Sequence, residues 1–222
     1  MHLLDPKHLI EWFMTALGPL VYLGLFAVVF AESGLFFGFF LPGDSLLLTA
    51  GLFAYKGLLD IRILLPVLFV AAVLGDNVGY WFGRKAGPPL FRREKSLFFR
   101  PKNLLAAKAF YDRHGGKTII LARFMPFIRT FAPIVAGAVQ MNYRRFMLFN
   151  ILGGLIWAVG LTLAGWGLGH LIPPEVLDKY FTLIILAVIV LSVLPTAIHV
   201  WKEHGPDILN RLRSGPRREP DA

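Results

Sequence analysis

Four ionisable residues stand inside otherwise apolar stretches of this chain, and their types could do chemistry within a membrane. Glu32 and Asp44 lie in one apolar stretch, and Arg123 and Arg129 lie in a second. Charged groups at membrane depth are costly to bury, and they mark functional sites by default. If the two stretches face each other, two carboxylates and two guanidiniums meet in one cavity. We therefore expect a polar centre whose charges can exchange partners.

The two arginines indicate a ligand that carries phosphate. A planar guanidinium binds two oxygens of a phosphate at once. A buried carboxylate beside it takes up or loses a proton according to whether an anion occupies the guanidinium. We expect a phosphate head group to displace Glu32 or Asp44 from Arg123 or Arg129, and the released carboxylate to bind a proton. The alternative is a static salt-bridge network that only holds the two stretches together.

Proline and glycine interrupt both charged stretches. Proline removes a backbone donor and clashes with the preceding turn. Non-helical backbone at membrane depth is tolerated only where it is packed in protein or lines a watery cavity. We predict re-entrant helical hairpins at 19–55 and 118–141; for the first, a spanning helix followed by a buried loop is the alternative. The residues expected at the hairpin tips are Pro42, Gly43, Pro126 and Pro133.

The composition is that of an integral membrane protein. Of the 222 residues, 56% are hydrophobic, and the mean hydropathy is +0.61. A soluble domain is usually about 45–50% apolar, and the apolar residues here form long blocks. The absence of cysteine excludes disulfides and thiolate chemistry. The net charge of +9 fits basic loops that face anionic lipid, so we expect no nucleic-acid partner.

The apolar blocks predict the remaining elements, because a membrane helix needs about 20 mostly apolar residues. We expect an all-α integral membrane fold. Its parts are an interfacial helix at 1–18, a membrane domain at 19–201 with spanning helices at about 63–83, 146–171 and 180–200, and a basic tail at 202–222.

Basic residues and a repeat predict how the chain is oriented. The loop at 84–117 contains ten Lys and Arg residues, so the positive-inside rule places this loop and the C-terminus in the cytoplasm. Small residues recur 86 positions apart: Ala50, Gly51, Gly79 and Gly83 match Ala136, Gly137, Gly165 and Gly169. Each copy would be a broken hairpin followed by a span. Inverted repeats of this kind are a transporter design.

Other polar residues give weaker signals. Asp76 and Asn77 either join the cavity or cap a helical break, and Asn150 is either an interhelical donor or a ligand. Tyr80 is expected at the membrane interface. None of the six His residues stands at a metal-binding spacing, and there is no phosphate-binding P-loop or GxSxG elbow. We expect no metal, no cofactor and no enzymatic activity.

At these residues the chain resembles the DedA family, the SNARE-associated or VTT-domain membrane proteins. The resemblance covers roughly residues 19–170 and is specific as a set of motifs. They are Glu32, FxxPGD at 39–44, GDxxGYxxG at 75–83, RFxPxxR at 123–129, and NxxGxxxW at 150–157. The resemblance implies a bacterial cytoplasmic-membrane protein with two opposed re-entrant hairpins. It also implies essential acids at Glu32 and Asp44, the latter often Glu in relatives, and essential arginines at Arg123 and Arg129.

The family resemblance implies a flippase-like or scramblase-like transporter of a phosphate-headed lipid such as undecaprenyl phosphate, dependent on protons. Paired carboxylates in broken helices suit a proton/ion antiporter equally well. A lipid phosphatase would also use the arginines, but neither hairpin contains a His to act as nucleophile or base. The sequence leaves open the lipid, the direction of transport and the oligomeric state, a homo-oligomer included.

Overall fold

The structure, a computed structural model, describes residues 6–35, 43–90 and 115–173, with isolated positions between 109 and 187. Every regular element in these residues is helical, and no strand occurs among them. The all-α prediction is confirmed for this part of the chain. The predicted tip at Pro42, most of the basic loop, most of the span at 180–200 and the tail at 202–222 lie outside the described residues.

Within the described residues, two helices are long and apolar enough to cross a membrane. The first is α3 (Ile61–Leu90); the second is α6 (Tyr143–Gly154), which continues through a π-helical turn (Leu155–Val159) into α7 (Gly160–Leu171). Their apolar parts contain 27 and 29 residues, with mean hydropathies of 1.9 and 2.0. At about 1.5 Å per residue each reaches about 40 Å, more than the hydrocarbon thickness of about 30 Å. Apolar helices therefore occupy the spans predicted at 63–83 and 146–171.

The two charged stretches are interrupted beside their charged residues. The helices on either side of the interruptions are α1 (Pro6–Gly34), α2 (Gly43–Tyr55), α4 (Lys117–Ala122) and α5 (Pro126–Ala138). Both α2 and α5 contain 13 residues and are about 20 Å long, which is too short to cross the hydrocarbon. Between α4 and α5 the backbone becomes extended at Met125, with φ −112° and ψ 107°.

The N-terminal helix differs from the prediction. A separate interfacial helix was expected to end at residue 18, but α1 is continuous from Pro6 to Gly34 with Pro19 inside it. Apolar residues continue on both sides of this proline. Prolines are tolerated within apolar helices when neighbouring groups satisfy the freed carbonyl, so one proline was not enough to end the helix.

Each 13-residue helix packs against a long helix from the other half of the chain. α2 lies on α7, α5 lies on α3, and α1 also lies along α3. Glycine allows these close crossings. A Cβ at Gly51 would lie 2.7 Å from the backbone nitrogen of Trp166, and one at Gly137 would lie 2.8 Å from that of Arg84. Both positions therefore require glycine for backbone contact.

Tyr80 lies in the core, and the prediction that it is interfacial is wrong. Its side chain is fully buried, whereas its neighbours Trp81 and Phe82 are exposed. Its hydroxyl donates to the Met141 carbonyl, and its ring stacks on Phe146 with centroids 4.4 Å apart. The helical rotation of α3 turns Tyr80 towards α5 and α6, and an aromatic residue near a helix end does not show by itself which way it points.

Candidate functional site

A buried arginine joins residues from three helices. Arg129, in the first turn of α5, donates from Nη1 to Asp44 Oδ1 at 2.8 Å and from Nη2 to Glu32 Oε1. Glu32 stands near the end of α1, and Asp44 is the second residue of α2. The side chains of Glu32 and Arg129 are 0% and 6% exposed, whereas that of Asp44 is 37% exposed. Both predicted carboxylates therefore pair with one arginine, and Asp44 is the most exposed of the three side chains.

Gly43 shapes the place of the Glu32 carboxylate. Its backbone N–H donates to Glu32 Oε1 at 3.0 Å, and a Cβ on this glycine would overlap the carboxylate. Because α2 begins at Gly43, the unpaired amides of its first turn favour a negative charge nearby. Gly43, predicted only as part of a hairpin tip, is thus in direct contact with the charged residues.

Trp157 connects the two arginines. Its Nε1–H donates to Asp44 Oδ1 at 2.7 Å, so one carboxylate oxygen accepts from both Trp157 and Arg129. The Cζ atoms of Arg129 and Arg123 lie 5.2 Å and 5.7 Å from its ring centroid, within the range of cation–π attraction. Trp157 is buried in the π-helical turn, a feature frequent at functional sites. It is absent from the predicted site residues, although the NxxGxxxW motif that it ends was a signal for it.

Arg123 belongs to a second network. It follows α4 directly, and its Nη2 donates to Asp76 Oδ2 and to Asn150 Oδ1, each at 2.6 Å. Asn150 in turn donates to the Val73 carbonyl at 3.1 Å. Arg123 and Asp76 are each 3% exposed. Gly153 leaves room for the arginine, since a Cβ there would lie 2.9 Å from Arg123 Cδ.

The expected single set of four charges is therefore divided. Glu32 and Asp44 both pair with Arg129, while Arg123 pairs with Asp76 on α3. A buried guanidinium needs a nearby anion, and the long helix that passes beside Arg123 supplies one. Asp76, predicted as a secondary candidate, is thus an ion-pair partner.

The two predicted asparagines have different surroundings. Asn150 is fully buried and accepts from Arg123, so it lies in the second network. Asn77 donates to the Val73 carbonyl at 2.7 Å and accepts from the Tyr143 hydroxyl at 3.0 Å. Its contacts secure α3 to α6, and they do not involve the charged residues.

Three buried polar atoms of the site make no hydrogen bond within the described part of the chain: Glu32 Oε2, Arg123 Nε and Arg129 Nε. Buried polar groups are nearly always satisfied, and each unmade bond costs about 1–3 kcal/mol. Two donors and one acceptor can therefore still pair with a ligand or water. The ionised site also holds three carboxylates against two guanidiniums. One bound proton would balance this charge.

The prolines of the second stretch affect the backbone around Arg129. Pro126 is the first residue of α5, where a missing N–H costs little. Pro133 lies inside α5 and cannot donate to the carbonyl four residues earlier, which belongs to Arg129. The helix is therefore weakened at the turn that holds the guanidinium. In the ranges that the structure describes, no group of three His, Asp or Glu side chains is placed to hold a metal ion.

Comparison with known proteins identifies similar membrane proteins along most of the chain. The VTT domain family model matches residues 41–167. Protein DedA of Escherichia coli is 44% identical over 185 residues, which cover 82% of this chain and 83% of that protein. An uncharacterised membrane protein of Mycobacterium leprae is 44% identical over 195 residues, covering 87% and 85%. Inner membrane protein YqjA of Escherichia coli is 33% identical, covering 83% and 86%. No solved structure matches.

The named relatives agree with the apolar helices. Two of them are described as membrane or inner-membrane proteins, and the described part of this chain contains two helices long and apolar enough to cross a membrane. It is a bacterial membrane protein. The matched range contains every charged residue of the two networks except Glu32, which precedes it.

Proposed function

The chain belongs to the DedA family of VTT-domain membrane proteins, and from that membership we propose that it transports a phosphate-headed lipid with the participation of protons. One observation carries the proposal: a buried guanidinium, Arg129, is shared by two carboxylates and retains an unpaired Nε. A site that only stabilised the fold would need one anion for this cation. The second carboxylate makes the arginine a place where anions exchange.

The geometry supports a phosphate as the exchanging anion. Arg129 presents Nη1 to the more exposed carboxylate, Asp44, and Nη2 to the enclosed one, Glu32. A phosphate that arrives from the exposed side would replace Asp44 first. One of its oxygens could then accept from Nη1, and a second oxygen could share Nη2, since Nη1 and Nη2 form one of the paired donor edges of a guanidinium. Undecaprenyl phosphate is the candidate lipid that the family resemblance implies.

The negative charge of the site favours the participation of protons. Three carboxylates already exceed two guanidiniums, and a bound phosphate adds further negative charge. Buried like charges favour protonation of a carboxyl. We infer that Asp44, once displaced from Arg129, binds a proton, and that lipid and proton therefore cross together.

We also infer that the two halves form an inverted repeat of re-entrant hairpins. The supporting contacts recur 86 positions apart. Gly51 of α2 meets Trp166 of α7, and Gly137 of α5 meets Tyr80 of α3, which is the equivalent position. Broken helices that meet in the middle of the membrane are a known transporter design. In this arrangement Arg129 and Glu32 lie near mid-membrane, and each half contributes to the site.

Two other activities make different demands on the site. The carboxylate in excess of the two guanidiniums favours a proton/ion antiporter, because a bound cation could balance its negative charge. A lipid phosphatase would need a nucleophile beside Arg129, whose hydrogen-bonded side-chain partners are both acids held by that same arginine. We therefore propose a transporter without enzymatic activity, and the test below separates the three.

The test is reconstitution into vesicles that carry a labelled polyprenyl phosphate. Loss of label from the outer leaflet is followed for the wild type, for Arg129→Gln and for Arg144→Gln. Arg144 is an exposed arginine at the start of α6, so it controls for loss of a positive charge. We expect transport by the wild type and Arg144→Gln, and at least a tenfold loss in Arg129→Gln.

Other results would overturn the proposal. Wild-type vesicles that lose label no faster than protein-free vesicles would refute lipid transport. Release of inorganic phosphate would identify a phosphatase. A flux of Na⁺ or K⁺ in vesicles without polyprenyl phosphate, lost in Arg129→Gln, would identify an antiporter.

A further inference from the structure

We propose that Trp157 is a positioning residue that retains Asp44 when a head group takes Arg129, and that it thereby sets the pH at which this carboxyl binds its proton. The head-group step rests on the proposed function. The contact between Trp157 and Asp44 does not, and it can be tested without any lipid.

The geometry shows two donors on one oxygen. Asp44 Oδ1 accepts from Arg129 Nη1 at 2.8 Å and from Trp157 Nε1 at 2.7 Å. If an anion removes the first donor, the indole remains in place on the same oxygen. A hydrogen bond to an ionised carboxylate stabilises its charged form. Trp157 therefore lowers the pH at which Asp44 becomes protonated.

When Arg129 is occupied by an anion, none of the neighbouring charged residues replaces it as a donor to Asp44, and the indole N–H remains. From α1, Glu32 is an anion and repels it. From the break after α4, Arg123 faces the same ring but uses its Nη2 on Asp76 of α3 and on Asn150. Among these groups, only the indole N–H and Arg129 donate to Asp44.

The tryptophan itself is held in a fixed position. It is 1% exposed, and its ring contacts the guanidiniums of Arg123 and Arg129. The π-helical turn Leu155–Val159 contains it. A ring packed against two cations stays in place, so its N–H remains available to Asp44 when Arg129 is occupied.

The test uses Trp157→Phe, which keeps an aromatic ring over the arginines and removes the N–H. Carboxyl protonation is titrated by infrared difference spectroscopy on purified protein, and Asp44→Asn identifies the Asp44 band. We expect the midpoint of this band to move to higher pH by about one unit in Trp157→Phe. Trp166→Phe is the matched control, because Trp166 lies on α7, is partly exposed and contacts His170 instead of the site.

The same variants are then compared in the vesicle assay. We expect the pH profile of transport to move in the same direction in Trp157→Phe, and no such movement when Asp44 is already Asn. A short-chain polyprenyl phosphate should increase the difference in the Asp44 midpoint pH between wild type and Trp157→Phe, because Arg129 is then occupied.

The outcomes separate the two proposals. Equal Asp44 midpoints in the wild type and Trp157→Phe would overturn the role of Trp157, whatever the vesicles show. Absence of lipid transport in the wild type would refute the proposed function, while the infrared titration would still decide whether Trp157 controls Asp44. If Trp157→Phe does not fold, benzothienylalanine introduced at position 157 keeps the ring shape and replaces the N–H by sulfur, and the same criteria apply.

Discussion

Arg123 and Arg129 are both buried in the same part of the molecule, yet they hold their partners differently. Arg129 uses two nitrogens for two carboxylates on different helices. Arg123 uses one nitrogen, Nη2, for both Asp76 and Asn150. The planar fork of arginine is therefore needed at position 129 and is less important at position 123.

Replacement by lysine should separate these two uses. Arg129→Lys loses the second donor nitrogen, so we expect transport to fall at least tenfold. In Arg123→Lys a single ammonium carries enough donors for both partners, so a larger fraction of transport should remain. Both variants are compared by vesicle assay and by thermal melting. Equal losses of transport would show that the two arginines contribute to transport in the same way.

Removing all three charges together should distinguish transport from structure at the same residues. Asp44→Asn removes one of the anions of buried Arg129, and breaking a buried pair costs about 3–5 kcal/mol. Because Glu32 remains, we expect a loss at the lower end of this range. Asp44→Asn and Glu32→Gln combined with Arg129→Gln leave no buried charge unpaired, because Glu32 also pairs with Arg129. This triple variant should recover part of the melting temperature and no transport. Recovery of both would mean that the network only holds the helices together.

At the scale of the helices, the glycine crossings are as important as the charges. A Cβ on Gly165 of α7 would lie 2.8 Å from the carbonyl carbon of Leu48 in α2, whereas one on Gly167 has open space. Gly165→Ala should therefore push α2 away from α7 and destabilise the protein by about 1–3 kcal/mol.

Gly167→Ala is the control on the same helix. It adds the same methyl group and improves helix propensity, by up to about 1 kcal/mol, so its melting temperature should be unchanged or higher. Thermal unfolding in detergent measures both variants. Equal melting temperatures would contradict the close crossing of α2 and α7.

The helices were easier to predict than the partners of the charged side chains. Long apolar blocks predicted the two long helices, and Pro and Gly predicted breaks beside Asp44 and Arg129, because both signals are local in sequence. The pairing of Arg123 with Asp76 and the place of Trp157 depend on how α3 and the π-helical turn are rotated. Sequence spacing alone does not determine that rotation, so Asp76 was predicted only as a secondary candidate and Trp157 only as the last residue of a motif.

At the scale of the whole molecule, basic residues collect at one end. The end of α3 and the start of α6 lie together, since Trp81 and Tyr143 have ring centroids 5.5 Å apart. The exposed basic residues at this end are Arg84, Lys85, Arg144 and Arg145. At the other end, α2 meets α7 through Tyr55 and His170, with centroids 4.5 Å apart. The exposed charges there are fewer and of both signs: Asp60, Arg62, Glu175 and Lys179. This asymmetry favours the basic end in the cytoplasm.

The orientation leads to a labelling prediction for which no native cysteine has to be removed, because the chain has none. Glu175→Cys and Lys85→Cys place single thiols at exposed positions near opposite ends of the molecule. In intact cells an impermeant thiol reagent should label Cys at 175 and should label Cys at 85 only after the membrane is opened. The opposite pattern would invert the molecule. The contacts around Arg129 would stay the same in that case. Labelling of both thiols in intact cells would contradict the inverted repeat, because the two ends of α3 and of Tyr143–Leu171 must then lie on one side of the membrane.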